Sequence, residues 1–95
     1  YEKLNNLHQA EYYYERSMEL AREIGDKLML STTQLNRSHI RLLKGDLITA
    51  KALCIQSLEQ MKQLNYQIGI ADACLTLGRI AEKEKKVRRA RGLAA

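Results

Sequence analysis

The feature that most constrains this chain is that it repeats itself, since residues 19–50 laid over residues 59–90 agree at a shift of 40. Ala10, Ala50 and Ala90 share one phase, and three residues before each stands an apolar residue, Leu7, Leu47 or Val87. Ser17 and Ser57 coincide, as do Met18 and Leu58, Glu19 and Glu59, Ile24 and Leu64, Leu35 and Leu75, and Ile40 and Ile80. Ser38 and Gly78 put a small residue midway along each second segment, where closely approaching helix backbones would need one. Periods of roughly 20 to 50 residues belong to arrays in which each unit buries its apolar face only against its neighbours. The expected fold is all-α, an α-solenoid of antiparallel helix pairs.

Five helices follow from the period, over residues 7–24, 27–44, 47–64, 67–84 and 87–95. Leu7, Ala10, Tyr14, Met18 and Ala21 recur three or four apart and give the first helix its apolar stripe. Gly25 and Asp26 end that helix, and the Asp26 carboxylate is placed to cap the next by accepting from its free first-turn amides. Gly45 suits the left-handed position after a helix end. The third stripe reads Leu47, Ala50, Leu53 or Cys54, Ser57, Leu58 and Met61, and the third helix ends at Asn65. The fourth reads Ile70, Ala73, Cys74, Leu77, Gly78 and Ala81, small residues suited to tight packing. Loops this short force sequential helices to pack antiparallel. Residues 1–95 therefore read as a single repeat domain, and a start at Tyr1 suggests a fragment of a longer array.

Composition closes off several classes. The chain has no Pro, Trp or Phe and few Gly, which leaves little support for sheet-rich or collagen-like folds. No apolar run approaches the roughly 18 residues of a membrane span, and nothing resembles a signal peptide. Cys54 and Cys74 both fall inside helical patterns, so the expectation is two reduced, packed thiols in a cytoplasmic protein. The turn near Asn65 and Tyr66 sets them at similar heights on adjacent helices, which leaves a disulfide open. His8 and His39 share no metal-ligand spacing with either cysteine, so neither a metal nor a cofactor is expected. The net charge of +5 resides mainly in residues 82–95, where Lys83, Lys85, Lys86, Arg88, Arg89 and Arg91 face only Glu82 and Glu84. Such a run could touch phosphates or an acidic partner. It lacks interleaved aromatics, which disfavours single-strand nucleic acid, and a solvated helix end is the plainer reading.

Leu77-Gly78, Ala81, Val87 and Ala90 resemble the tetratricopeptide repeat pattern, and Ser38, Gly45, Leu47 and Ala50 keep the same phase in the other full copy. The period is longer than the usual 34 or so and is similar to the long variant of that family. The resemblance implies a right-handed solenoid and a role in binding proteins or peptides. The stretches Gly45-Asp46-Leu47 to Leu58, Ile68-Gly69-Ile70-Ala71 to Ala81, and Arg89 to Ala95 are also similar to the repeat region of large bacterial LuxR-type or AfsR-type regulators. That narrower similarity implies a scaffold in signalling or transcription regulation.

Gln34, Arg37 and Arg41 stand at phases that hold Cys74, Leu77 and Ala81 one repeat later, so polar side chains occupy core-like positions. A hairpin centred near Asp26 sets Glu15 level with Arg37 and Glu11 level with Arg41, and ion pairs between them are the expected answer to an otherwise costly buried guanidinium. No catalytic constellation or phosphate-cradling loop is present, so an enzyme is not expected. The expected binding face presents Thr32, Leu35, Asn36 and His39 from one repeat and Asp72, Leu75, Thr76 and Arg79 from the next, a mixture suited to a peptide. Self-association is the alternative, because the first helix carries Tyr12, Tyr13 and Tyr14 with no partner upstream.

Overall fold

A computed structural model describes the backbone of residues 2–92 and the side chains of residues 6–92. Its elements are four helices: α1 (Glu2–Ile24), α2 (Lys27–Leu43), α3 (Leu47–Gln63) and α4 (Gln67–Ala90). Each packs against its neighbour in sequence, and α2 also touches α4. Cross-helix pairs run antiparallel at all three joints: Glu11 to Lys44 and Glu15 to Arg37, Ser57 to Ser31 and Ser38 to Ala50, Lys51 to Glu84 and Cys54 to Ala73. The molecule is a flattened body of 48 × 34 × 17 Å.

Turn chemistry explains the three breaks and the absence of a further one. After α1 the chain turns at Gly25 (φ 73°), and Asp26 Oδ1 accepts from Met29 N at 3.0 Å. After α2 it turns at Gly45 (φ 83°), and Asp46 Oδ1 accepts from Thr49 N at 3.2 Å. Asn65 takes the left-handed conformation after α3 with φ 57°, which its short polar side chain tolerates. The fifth helix expected over residues 87–95 is not a separate element: α4 runs unbroken to Ala90, and residues 93–95 lie outside the described residues. A shift of 40 carries Gly45 and Asp46 onto Lys85 and Lys86. Lysine supplies neither the left-handed turn nor the cap, and it propagates a helix well. So the repeat continues in its side-chain phases while its turn is lost.

The core comprises Leu35, Ala50, Cys54, Met61, Ala73 and Ile80, with Leu42, Leu58, Tyr66, Ile70 and Leu77 packed around it. Five small polar residues are buried among them, Ser31, Thr33, Ser38, Ser57 and Thr76. Each donates its hydroxyl to a backbone carbonyl, so none is left unsatisfied. Ser38 Oγ to Ala50 O at 2.6 Å and Ser57 Oγ to Ser31 O at 2.7 Å are bonds between helices, and they tie the α2 and α3 backbones together.

The inward stripe expected for α3 holds, with Ala50, Cys54, Ser57 and Met61 buried. That for α4 is shifted. Cys74, Gly78 and Ala81 are exposed, and the buried positions are Gly69, Ala73, Thr76 and Ile80. The close approach assigned to Gly78 belongs to Gly69: a Cβ there would meet Tyr66 Cδ2 at 2.5 Å and the Met61 sulfur at 2.6 Å, while nothing lies within 4 Å of one at Gly78. Among the described residues no helix lies beyond α4 for the Gly78 face to meet.

Candidate functional site

Two polar constellations stand out, one between α1 and α2 and the other between α2 and α4. The first gathers around Glu11, 7% exposed on the inner side of α1. Lys44 Nζ makes a charge-assisted hydrogen bond to Glu11 Oε1. Arg41 Nη2 lies 2.9 Å from Oε2, a contact that is Coulombic, because Oε2 has no aligned hydrogen-bond donor. Arg41 Nη1 also reaches Asp46 Oδ2 at 3.6 Å, and Arg37 Nη2 reaches Glu15 Oε1 at 3.4 Å. Both ion pairs expected from the sequence are therefore present. Lys44 was not foreseen, although its place three residues after Arg41 puts it on the same helix face.

Burial raises the pKa of Glu11, and the Lys44 hydrogen bond with the charges of Arg41, Lys44 and Arg37 outweighs that, holding the carboxyl below its ordinary value. Asp46 is likewise held low by its hydrogen bonds to Thr49 and by Arg41. The cluster is not fully matched, since Arg37 Nε and Arg41 Nε are buried without a partner. Two cations, Lys44 and Arg41, close on the buried Glu11 carboxylate while Arg37 turns to Glu15, and together the pairs join α1 to α2.

The second constellation is the seam where α2 meets α4. His39 Nε2 and Thr76 Oγ1 are 2.7 Å apart, and Thr76 Oγ1 also lies 2.9 Å from Asp72 O. A hydroxyl has one proton. If Thr76 gives it to the Asp72 carbonyl, His39 Nε2 must be the protonated nitrogen and donate to Thr76.

Of the eight residues expected to form a binding face, the structure brings five to the open surface of this seam: half-buried Thr32 and His39, and exposed Asn36, Asp72 and Arg79. Leu35 is 3% exposed and belongs to the core, and Thr76 is 1% exposed beneath His39. Neither is available to a ligand. Leu75 is 56% exposed, but it takes the register of Leu35 and so lies on the outer side of α4, away from the seam. Leu43, on the same stripe as Asn36 and His39, adds an exposed apolar residue that the sequence reading left out.

The cysteines differ in state. Cys54 is buried with its thiol donating to Ala73 O at 3.3 Å, and burial pushes its pKa up to about 11. Cys74 is exposed, against the expectation that both pack, and neither is in a disulfide. Among the described residues no three of His, Cys, Asp and Glu are grouped to hold a metal ion. Among the described residues no helix is long and apolar enough to cross a membrane. The basic residues 83, 85, 86, 88 and 89 are exposed along the last turns of α4, and Arg91 is exposed just after it. Lys85, Arg88 and Arg89 there border a shallow hollow of about 340 Å³ with Lys51 and Glu84.

Compared with known proteins, the chain matches no family model, no curated protein and no solved structure.

Proposed function

We propose that this chain is a non-catalytic protein-interaction module of the tetratricopeptide type, a right-handed α-solenoid that offers the α2–α4 seam to a peptide or protein segment. The observation that carries the reading is the seam itself. His39 bonded to Thr76 sets two helices of successive repeats side by side and leaves Asn36, Asp72 and Arg79 exposed along the line between them, beside half-buried Thr32, whose hydroxyl is donated to the Leu28 and Met29 carbonyls. Asn36 can both donate to and accept from a peptide backbone, Arg79 can pair with a carboxylate, and Asp72 with a cation. Leu43 offers an apolar contact at one end. The repeat register and the Leu-Gly and Ala phases support placement in the long-repeat variant, with a scaffold role in a bacterial signalling or transcription regulator as its setting in a cytoplasmic protein.

The test is a peptide-display selection against this chain followed by amide chemical-shift mapping of the selected peptide. Shifts concentrated at Thr32, Asn36, His39, Asp72 and Arg79, with binding weakened about tenfold by Asn36→Ala or Arg79→Ala, are the expected result, a loss of one or two hydrogen bonds to an ionic or polar group. Shifts confined to residues 83–91 that vanish steeply with salt would replace this reading with an electrostatic one at the basic end of α4.

A further inference from the structure

The open stripe of α2 recurs on α4 at the shift of 40, but its charge does not recur with it. Thr32 gives way to Asp72, His39 to Arg79 and Leu43 to Lys83. Two antiparallel joints separate α2 from α4, so the two helices run parallel and equivalent residues stand close to level across the seam. One wall of the seam is therefore neutral. The other is negative at Asp72 and positive at Arg79 and Lys83.

These three charges are exposed, and among the described residues none of them joins an ion pair. Elsewhere Glu11, Glu15, Asp46 and Glu84 are each matched by a cation. Asp72 and Arg79 do not reach each other, because at about 1.5 Å per residue they stand about 10.5 Å apart along one face of α4. Lys83 lies about 6 Å further on. Opposite charges held at such a spacing select a ligand whose own charges come in the matching order.

We infer, resting on the peptide-binding reading above, that the seam takes an extended segment with its charges in a fixed order. A basic residue meets Asp72, an acidic one three or four positions away meets Arg79, and a second acidic residue two beyond it meets Lys83. The spacings follow from about 3.3 Å per extended residue, with alternate side chains on one face. The segment is extended rather than helical, because the exposed Asn36 carboxamide within the seam both donates and accepts, and a helix keeps its own amides and carbonyls paired. An apolar residue beside the acids packs on exposed Leu43 and on the stem of Lys83. In a solenoid a further repeat stands beside α4 and lengthens this face, so the seam stays open in an array of any length.

The test measures binding of end-capped, dye-labelled peptide pools to this chain by fluorescence anisotropy, with every position mixed except the charged ones. Pools with one Lys followed by two Glu at those spacings should bind about fourfold or more tighter than pools with every charge exchanged, since each exposed ion pair is worth about twofold. Asp72→Arg, Arg79→Glu and Lys83→Glu together should invert that preference. All three side chains are exposed, so the helical spectrum stays unchanged. Amide shifts at Asn36 and Arg79 place the peptide in the seam. Shifts there with an affinity that ignores charge order, or a preference that survives the exchange, overturn the inference and leave the peptide-binding reading standing. Binding by no pool, or shifts only outside the seam, overturns both. Seam shifts that appear on concentrating the chain without peptide assign the face to a second copy and overturn the inference as well.

Discussion

Between α1 and α2, Glu11 meets Lys44 and Arg41; forty residues on, between α3 and α4, the same three positions hold Lys51, Glu84 and Ala81. The first pair recurs with its signs exchanged, since Lys51 Nζ lies 3.5 Å from Glu84 Oε1. Its surroundings have changed as well. The Glu11 side chain is 9% exposed and that of Lys44 15%, whereas Lys51 and Glu84 are 50% and 36% exposed. Where Arg37 reaches back to Glu15 in the first joint, Leu77 packs against the core in the second. One register therefore supports an ionic joint and an apolar one. Coulombic pairing is directional and weakens in water and salt, while apolar burial is neither directional nor screened. The α1–α2 joint should accordingly be the one that acid or salt opens first.

The largest expected effect breaks the apolar side of this comparison. Met61 is fully buried among the core residues of α3 and α4. Met61→Ala should cost about 3 kcal/mol, the usual range for a cavity left by a buried large side chain. Denaturant unfolding followed by far-ultraviolet dichroism measures it, and a loss below about 1 kcal/mol would show that the site collapses around the gap.

Next comes the ionic side. Glu11→Ala leaves Lys44 and Arg41 facing each other without their anion, and partial solvent access limits the cost to about 2 kcal/mol. Hydrogen exchange should show protection lost in α1 before α3 and α4. The pH dependence follows from the same carboxyl. Its folded pKa lies below the ordinary value of 4.5, so the pair stabilises the fold above that value and is lost as pH falls through the depressed one. Acid should loosen α1 in that window, and Glu11→Gln should flatten the slope there; an unchanged slope would assign the acid transition to other carboxylates.

Smaller effects separate the two glycines of α4. Gly69→Ala forces a methyl group onto Tyr66 and Met61 and should destabilise by about 1 kcal/mol through overpacking. Gly78→Ala meets open space in a helix interior and should stabilise the monomer by about 0.5–1 kcal/mol. Melting temperatures shifted in the same direction by both would contradict the assignment of the close approach to Gly69.

The smallest effect sharpens the contrast of ion pairs. Lys51→Ala should change stability by no more than about 0.5 kcal/mol, because an exposed pair gains little over its hydrated halves. A double-mutant cycle over Lys51 and Glu84, set beside one over Glu11 and Lys44, gives the two coupling energies at one register, and equal values would mean that burial has no part in the difference.

Most of the helical outline was legible because its signals are local. Gly25, Asp26, Gly45 and Asp46 mark turns by backbone freedom and capping, which depend on a few neighbouring atoms. The pairing of Glu11 with Arg41 and of Glu15 with Arg37 was legible too, because a short turn fixes which residues of an antiparallel hairpin lie level. The course of the chain beyond Glu84 was not. A repeat pattern read by phase places a turn at Lys85 and Lys86, whereas the backbone there follows the local preference of lysine for helix and continues to Ala90. The candidate face was half legible. Its α2 and α4 stripes were placed by register, but Leu35 and Thr76 share helices with the open residues and differ only in what packs over them.

By itself, the sequence determined four of the expected helices, the Asp26 cap, their antiparallel order and the ion pairs that join α1 to α2, since turn chemistry and a fixed period need no knowledge of distant contacts. Only the tertiary structure decided that Gly69 takes the close approach, that Cys74 faces solvent while Cys54 does not, and that the stripe of Leu75 and Gly78 lies bare. Burial is a property of neighbours: the same phase is core on α2, where α3 covers it, and surface on α4, where no described helix does.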